Sequence, residues 1–251
     1  MKILSVLFCC LISMALYAQK NKSKESFYVY DSEWKPCEIE SARYLCIMQK
    51  TNDSSYQWMT YHFSGPLISI ETYRDEKATV LNGYISYFGM DGQIDSVGYT
   101  KNGLRDSTWY FYDDTLSVRM EKEYKNGILV NSTDLNEKRK KETLEGKTAA
   151  TLESVETEAD FKGGISAWIK YLQNNSNYPD RAQQLGKSGT VKIIFVVDTE
   201  GKTIQLRVLK SVEYSLDKEA LRLIKESPKW NPAFQNGRKV KAYRIQPITF
   251  S

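Results

Sequence analysis

Two Asn-Gly pairs set 24 residues apart constrain this chain more than any other feature: Lys101-Asn102-Gly103 returns as Lys125-Asn126-Gly127. At the same spacing Tyr84-Ile85-Ser86-Tyr87-Phe88 is answered by Thr108-Trp109-Tyr110-Phe111-Tyr112. Asn-Gly favours positive φ at both residues, which is the backbone of a tight hairpin turn. Met90-Asp91-Gly92 and Asp113-Asp114 supply the other turn of each unit, and the residues between are those that favour strands. A unit repeated at this length predicts stacked hairpins that share one elongated sheet.

The β pattern extends upstream. Phe27-Tyr28-Val29-Tyr30, the run from Ala42 to Ile47 and the run from Tyr56 to Phe63 read as short strands, and no helical period interrupts them. Residues 19–130 are therefore predicted to be all-β, most clearly over 81–130. The repeat, with aromatic strands and Tyr-Lys-Asn-Gly turns, resembles the MORN-type hairpin repeat. The resemblance covers two units, with a third expected before Asn82, and implies a scaffold or binding surface without naming an activity.

The first eighteen residues read as a secretory signal: Lys2, then an apolar stretch from Ile3 to Leu16, then Ala18 before the cleavage point. That stretch is short for a bilayer span. Cleaved, it frees a soluble exported chain; uncleaved, it is an anchor. Cys9 and Cys10 belong to it, leaving Cys37 and Cys46. In an oxidising compartment these two are expected to form a disulfide closing a short loop, the alternative being two buried thiols. Two cysteines without a nearby histidine or second pair do not complete a tetrahedral metal site. The single histidine, His62, and a net charge of +4 argue against His-based catalysis and against nucleic acid as a partner. No phosphate loop or cofactor motif is present.

Residues 131–158 carry charge without aromatics and read as a linker, in which Glu137 and Lys141 would support a solvated helix. The last unit, 159–251, is mixed. Ile165, Trp168, Ile169 and Leu172 share a helix face after Gly163-Gly164, and Tyr178-Pro179 opens a short second helix that Gly186 closes. Thr190 to Val197 and Thr203 to Lys210 read as a hairpin across Asp198-Thr199-Glu200-Gly201. Ser215 is the expected cap of a helix whose apolar stripe is Leu216, Ala220, Leu223 and Ile224, and which ends at Pro228. Trp230 and Phe234 are expected to seal it against the sheet. Asn236-Gly237 then turns the chain into a final strand from Arg238 to Phe250.

This unit resembles the C-terminal domain of TonB, the energy transducer of double-membraned bacteria. The resemblance is carried by Phe161-Lys162-Gly163-Gly164, Tyr178-Pro179, Gly189-Thr190-Val191, Asp198 with Gly201, and Leu216-Asp217 with Glu219-Ala220-Leu221. It continues through Lys229-Trp230-Asn231-Pro232-Ala233, Asn236-Gly237-Arg238 with Val240, and Pro247-Ile248-Thr249-Phe250. It implies an α+β domain, a three-stranded antiparallel sheet with helices on one face. It also implies a partner, the TonB box peptide of outer-membrane TonB-dependent transporters, bound in the periplasm by strand addition. An uncleaved N-terminus would add inner-membrane motor proteins as partners.

The residues agree with an edge. Pro247 cannot donate to a ladder, so the last strand is expected to lie at an edge or to carry a bulge. Lys239, Lys241 and Arg244 discourage self-pairing and suit an acidic partner, although solvated charges on an ordinary edge look the same. The expected contact set is Lys239, Val240, Lys241, Ala242, Tyr243, Arg244 and Ile245, joined by Asn175, Asn177 and Tyr178 through the resemblance. Strict alternation would turn Arg244 and Gln246 towards the core, so either the strand bulges there or both lie past the rim of the helix layer. The competing reading is an envelope adaptor that holds its partner on the repeat sheet. An enzyme is disfavoured, since no cluster of acid, base and nucleophile is present.

Overall fold

The computed structural model describes residues 25–144 and 157–251. The expected signal segment, 1–18, and residues 145–156 of the expected linker lie outside them. The repeats and the strands before them build one antiparallel meander: β1 (Glu25–Tyr30), β2 (Tyr44–Asn52), β3 (Ser55–His62), β4 (Leu67–Tyr73), β5 (Leu81–Phe88), β6 (Ile94–Lys101), β7 (Leu104–Tyr112), β8 (Val118–Lys125) and β9 (Ile128–Asp134). Each strand pairs with the next in sequence, giving a nine-stranded sheet. Both Asn-Gly pairs turn as expected, with φ of 53° and 80° at Asn102-Gly103 and 50° and 82° at Asn126-Gly127. Asn82-Gly83 lies inside β5, where Asn82 Oδ1 accepts from the Asn102 amide at 3.3 Å.

Strand β9 runs past 130 to Asp134, and a helix α1 (Leu135–Leu144) follows. Asp134 Oδ1 caps that helix by accepting from the Asn136 and Glu137 amides at 2.9 and 3.1 Å, which satisfies donors that have no partner within the helix.

The C-terminal unit follows the predicted order: α2 (Gly164–Asn175), α3 (Asp180–Gln184), β10 (Gly189–Val197), β11 (Thr203–Lys210), α4 (Tyr214–Lys225), a small hairpin of β12 (Ala233–Gln235) and β13 (Arg238–Val240), and β14 (Ala242–Phe250). The sheet order is β11-β10-β14, three antiparallel strands. Val191, Ile193, Phe195 and Val197 of β10 pack with Leu216, Ala220, Leu223 and Ile224 of α4, and with Trp168 of α2, on one face. Trp230 closes this core with its ring 5.0 Å from Phe195. Gly201 allows the approach, since a Cβ there would sit 2.1 Å from the Trp230 carbonyl oxygen.

Two local expectations are corrected. Phe234 lies outside the core and pairs with Thr157 through backbone hydrogen bonds. The cap of α4 is Glu213 instead of Ser215: its carboxylate accepts from the Ser215 amide at 2.8 Å, because α4 begins two residues earlier than expected, at Tyr214.

The face of β10 and β11 away from α4 packs on the nine-stranded sheet. Leu209 and Ile194 join Ile94, Val97, Tyr84 and Tyr112 in an apolar cluster that crosses between the two units. Tyr214 stands edge-on to Tyr61 and Phe27. Polar groups complete the joint. Ser211 donates its amide to the Gly92 carbonyl at 2.8 Å, and its hydroxyl accepts from the Leu67 amide at 2.8 Å. Arg181 donates to the Phe63 carbonyl, and Lys218 pairs with Glu25 at 2.6 Å. The two halves therefore share a continuous interior.

Candidate functional site

The candidate site is the outer side of β14. Among the described residues β14 pairs with β10 alone, so the ladder groups on its other side have no strand to meet. Their direction follows from Pro247. The β10–β14 register runs from Gly189↔Phe250 to Val197↔Ala242 without a shift and includes Lys192↔Pro247. Proline has no N–H, so an unbroken antiparallel ladder accommodates it only at a non-hydrogen-bonded pair, where both backbone groups point away from the neighbour. With no shift in register, Tyr243, Ile245 and Thr249 share that orientation. Their N–H and C=O groups, and the Pro247 carbonyl, face outward.

Alternation is strict. Tyr243, Ile245, Pro247 and Thr249 are exposed, while Ile248 and Phe250 are buried and Arg244 and Gln246 half-buried. No bulge forms at Arg244; its guanidinium instead reaches Glu158 at 2.5 Å. Tyr243 and Ile245 are 74% and 45% exposed, two large apolar side chains on one face of the strand.

The predicted contact residues do not all share this edge. Lys239 and Val240 belong to β13 and pair with Phe234 and Ala233 of β12, because Asn236-Gly237 closes a separate hairpin before the chain reaches Lys241. Lys241 is the break between the two sheets, and Ala242 opens β14. Asn175, Asn177 and Tyr178 gather at the other end. The Asn175 carbonyl accepts from Arg222 and the Asn177 amide donates to Glu219. The Tyr178 ring stands 6.3 Å from that of Phe250. Tyr243 and Phe250 are seven residues apart on β14, or ~23 Å at ~3.3 Å per residue, so only an extended segment of comparable length would touch both groups.

Cys37 and Cys46 are a further correction: both are free thiols. Cys46 is buried in β2 with its sulfur 3.7 Å from Thr60 Oγ1, while Cys37 lies beyond β1 with its amide on the Val29 carbonyl. Burial pushes the Cys46 thiol upward, which keeps it protonated and unreactive. Among the described residues no cluster of three or more His, Cys, Asp or Glu is gathered as metal ligands would be.

Sequence reasoning did not find a cavity of about 350 Å³ between the two sheets. Its walls are Tyr84, Tyr99, Tyr110 and Tyr112 of the large sheet and Ile194, Gln205, Arg207 and Leu209 of β10 and β11, and Tyr243 of β14 reaches it. Arg207 lies over the Tyr84 ring at 4.5 Å. A signal for this packing was present in β10, whose run Ile193-Ile194-Phe195-Val196-Val197 is apolar on both faces, as in a strand covered on both sides.

Comparison with known proteins bears on the C-terminal unit. Residues 174–251 match the family described as Gram-negative bacterial TonB protein C-terminal. That stretch carries a TonB-type C-terminal domain; Phe161 to Gly164 and most of α2 precede it. An NMR solution structure of the Helicobacter pylori TonB C-terminal domain is similar at 24% identity, covering 35% of this chain and 91% of that one, with a TM-score of 0.28. No curated protein matches the chain.

Proposed function

We propose that this protein binds the TonB box of outer-membrane TonB-dependent transporters by adding the box as a fourth strand on β14, and so supports energy-dependent transport from the periplasm. The observation that carries this reading is the vacant outer side of β14 among the described residues, with its alternate backbone groups directed outward. Strand addition draws affinity from main-chain hydrogen bonds and specificity from alternate side chains. The role is one of binding, without catalysis. An N-terminus cleaved after Ala18 would leave the chain free in the periplasm; an intact one would tether it to the inner membrane within reach of motor proteins.

The test uses the full chain and a synthetic TonB-box peptide. Hydrogen exchange should slow at the amides of Tyr243, Ile245 and Thr249, while the inward-facing Arg244 and Ile248 amides, already paired with β10, change little. Ile245→Pro removes one outward N–H and leaves the β10 ladder intact. It should weaken binding about fivefold, the worth of roughly 1 kcal/mol for one hydrogen bond. Protection confined to β13 or to Asn175–Tyr178 overturns the reading. Protection confined to the nine-stranded sheet would favour the adaptor instead.

A further inference from the structure

We infer that the cavity between the sheets is a side-chain pocket for the segment that pairs with β14, so that the nine-stranded sheet reads the partner's sequence. The inference rests on the strand-addition reading and adds to it the chemistry of the residues recognised. Side chains of an added strand alternate between the two faces of the sheet. One set falls on the helix side, near Arg244 and Glu158. The other falls on the side of Tyr243 and Ile245, and Tyr243 is itself a wall of the cavity. The edge and the pocket are thus continuous through a single residue.

The lining fixes the class of side chain. Tyr84, Tyr110 and Tyr112 line it with aromatic side chains, and Ile94, Val97 and Ile194 with aliphatic ones. At about 350 Å³ the space is at the small end of binding pockets and suits one bulky aliphatic or aromatic group. Arg207 adds a charge. It is exposed and stacked on Tyr84, and among the described residues no carboxylate forms an ion pair with it. Lys192 and Lys210 lie opposite one another on the same two strands, β10 and β11. The occupant is therefore a peptide segment with a bulky apolar residue and, on the same strand face, an Asp or Glu held by the field of Arg207 across the sheet, since β10 and β14 lie between β11 and the added strand.

The experiment titrates the full chain with synthetic peptides of about eight residues, rich in Thr and Val, carrying Glu and Phe two apart. Affinity and exchange protection at the Tyr243 and Ile245 amides are read together. Replacing Phe by Ala in the peptide should weaken binding at least tenfold, since a large apolar side chain loses its burial, while protection of β14 persists at saturation. Arg207→Glu should weaken the Glu peptide severalfold and improve a peptide with Lys in its place. Protection of β14 with affinity indifferent to both changes overturns the pocket and leaves strand addition standing. Absence of protection on β14 with every peptide removes both.

Discussion

Asp217 shows how one buried side chain can hold two units together. Its carboxylate accepts from the Ser211 hydroxyl at 2.5 Å and the Val212 amide at 3.1 Å, with Tyr61 of the large sheet beside it. Loss of solvent pushes its pKa up to about 7, against the hydrogen bonds that lower it. Below about pH 4 both folded and unfolded states are protonated. Between about 4 and 7 the folded state keeps a proton that the unfolded chain has released, so this residue's contribution to stability falls as pH rises and levels off above 7. Asp217→Asn should remove that slope. Urea midpoints of the two proteins, compared at pH 5 and pH 8, should shift in favour of the variant at the higher pH; a constant difference would refute the assignment. Gly92 is the other residue of this kind, since a Cβ there would lie 2.2 Å from the Ser211 carbonyl oxygen.

At the scale of elements, α4 is held at its start by an ion pair whose carboxylate is buried and whose guanidinium is partly exposed. Glu213 is fully buried; it accepts from Arg181 of α3 at 2.6 Å and from its own helix through Ser215. Arg181 also lies over the Phe63 ring at 4.8 Å and donates to the Phe63 carbonyl, so α3, α4 and the loop after β3 converge on one guanidinium. Arg181→Ala would strand the Glu213 charge in the interior and should cost about 3 kcal/mol in denaturant unfolding, as breaking one side of a buried pair does. A loss near zero would mean that water reaches Glu213. Strand β14 has the opposite character. One side is fully laddered and the other open, a state that charged neighbours and a proline help keep from self-association.

At the scale of the whole molecule, the two halves are joined over one face of the small sheet and the start of α4. Phe88 marks the junction, packing against all three apolar clusters: the C-terminal core, the Leu45–Tyr61 cluster and the Ile94–Leu209 cluster. Phe88→Ala should cost about 3 kcal/mol, the low end for a Phe truncation given that Phe88 is only partly buried. It should also split a single cooperative melt into two transitions, observed by calorimetry. One unchanged transition would show that the halves are coupled elsewhere. Coupling matters for the proposed role, because a pull on β14 would pass into the large sheet through this joint.

The sequence by itself determined the elements. Asn-Gly at positive φ, aromatic alternation and the apolar stripe of α4 are properties of short stretches, set by backbone sterics and periodicity, and they placed the hairpins, helices and final strand within a few residues. It narrowed Pro247 to an edge or a bulge, because a residue without an N–H cannot donate to a ladder; the unbroken register with β10 left the edge. Only the tertiary structure decided that Arg238 to Phe250 divides at Lys241 into two strands of different sheets, that Cys37 and Cys46 stay apart, and that the open face of the small sheet is covered by the large one. Those outcomes depend on which distant surfaces meet, and packing energy between residues far apart in the chain leaves no periodic trace in either segment.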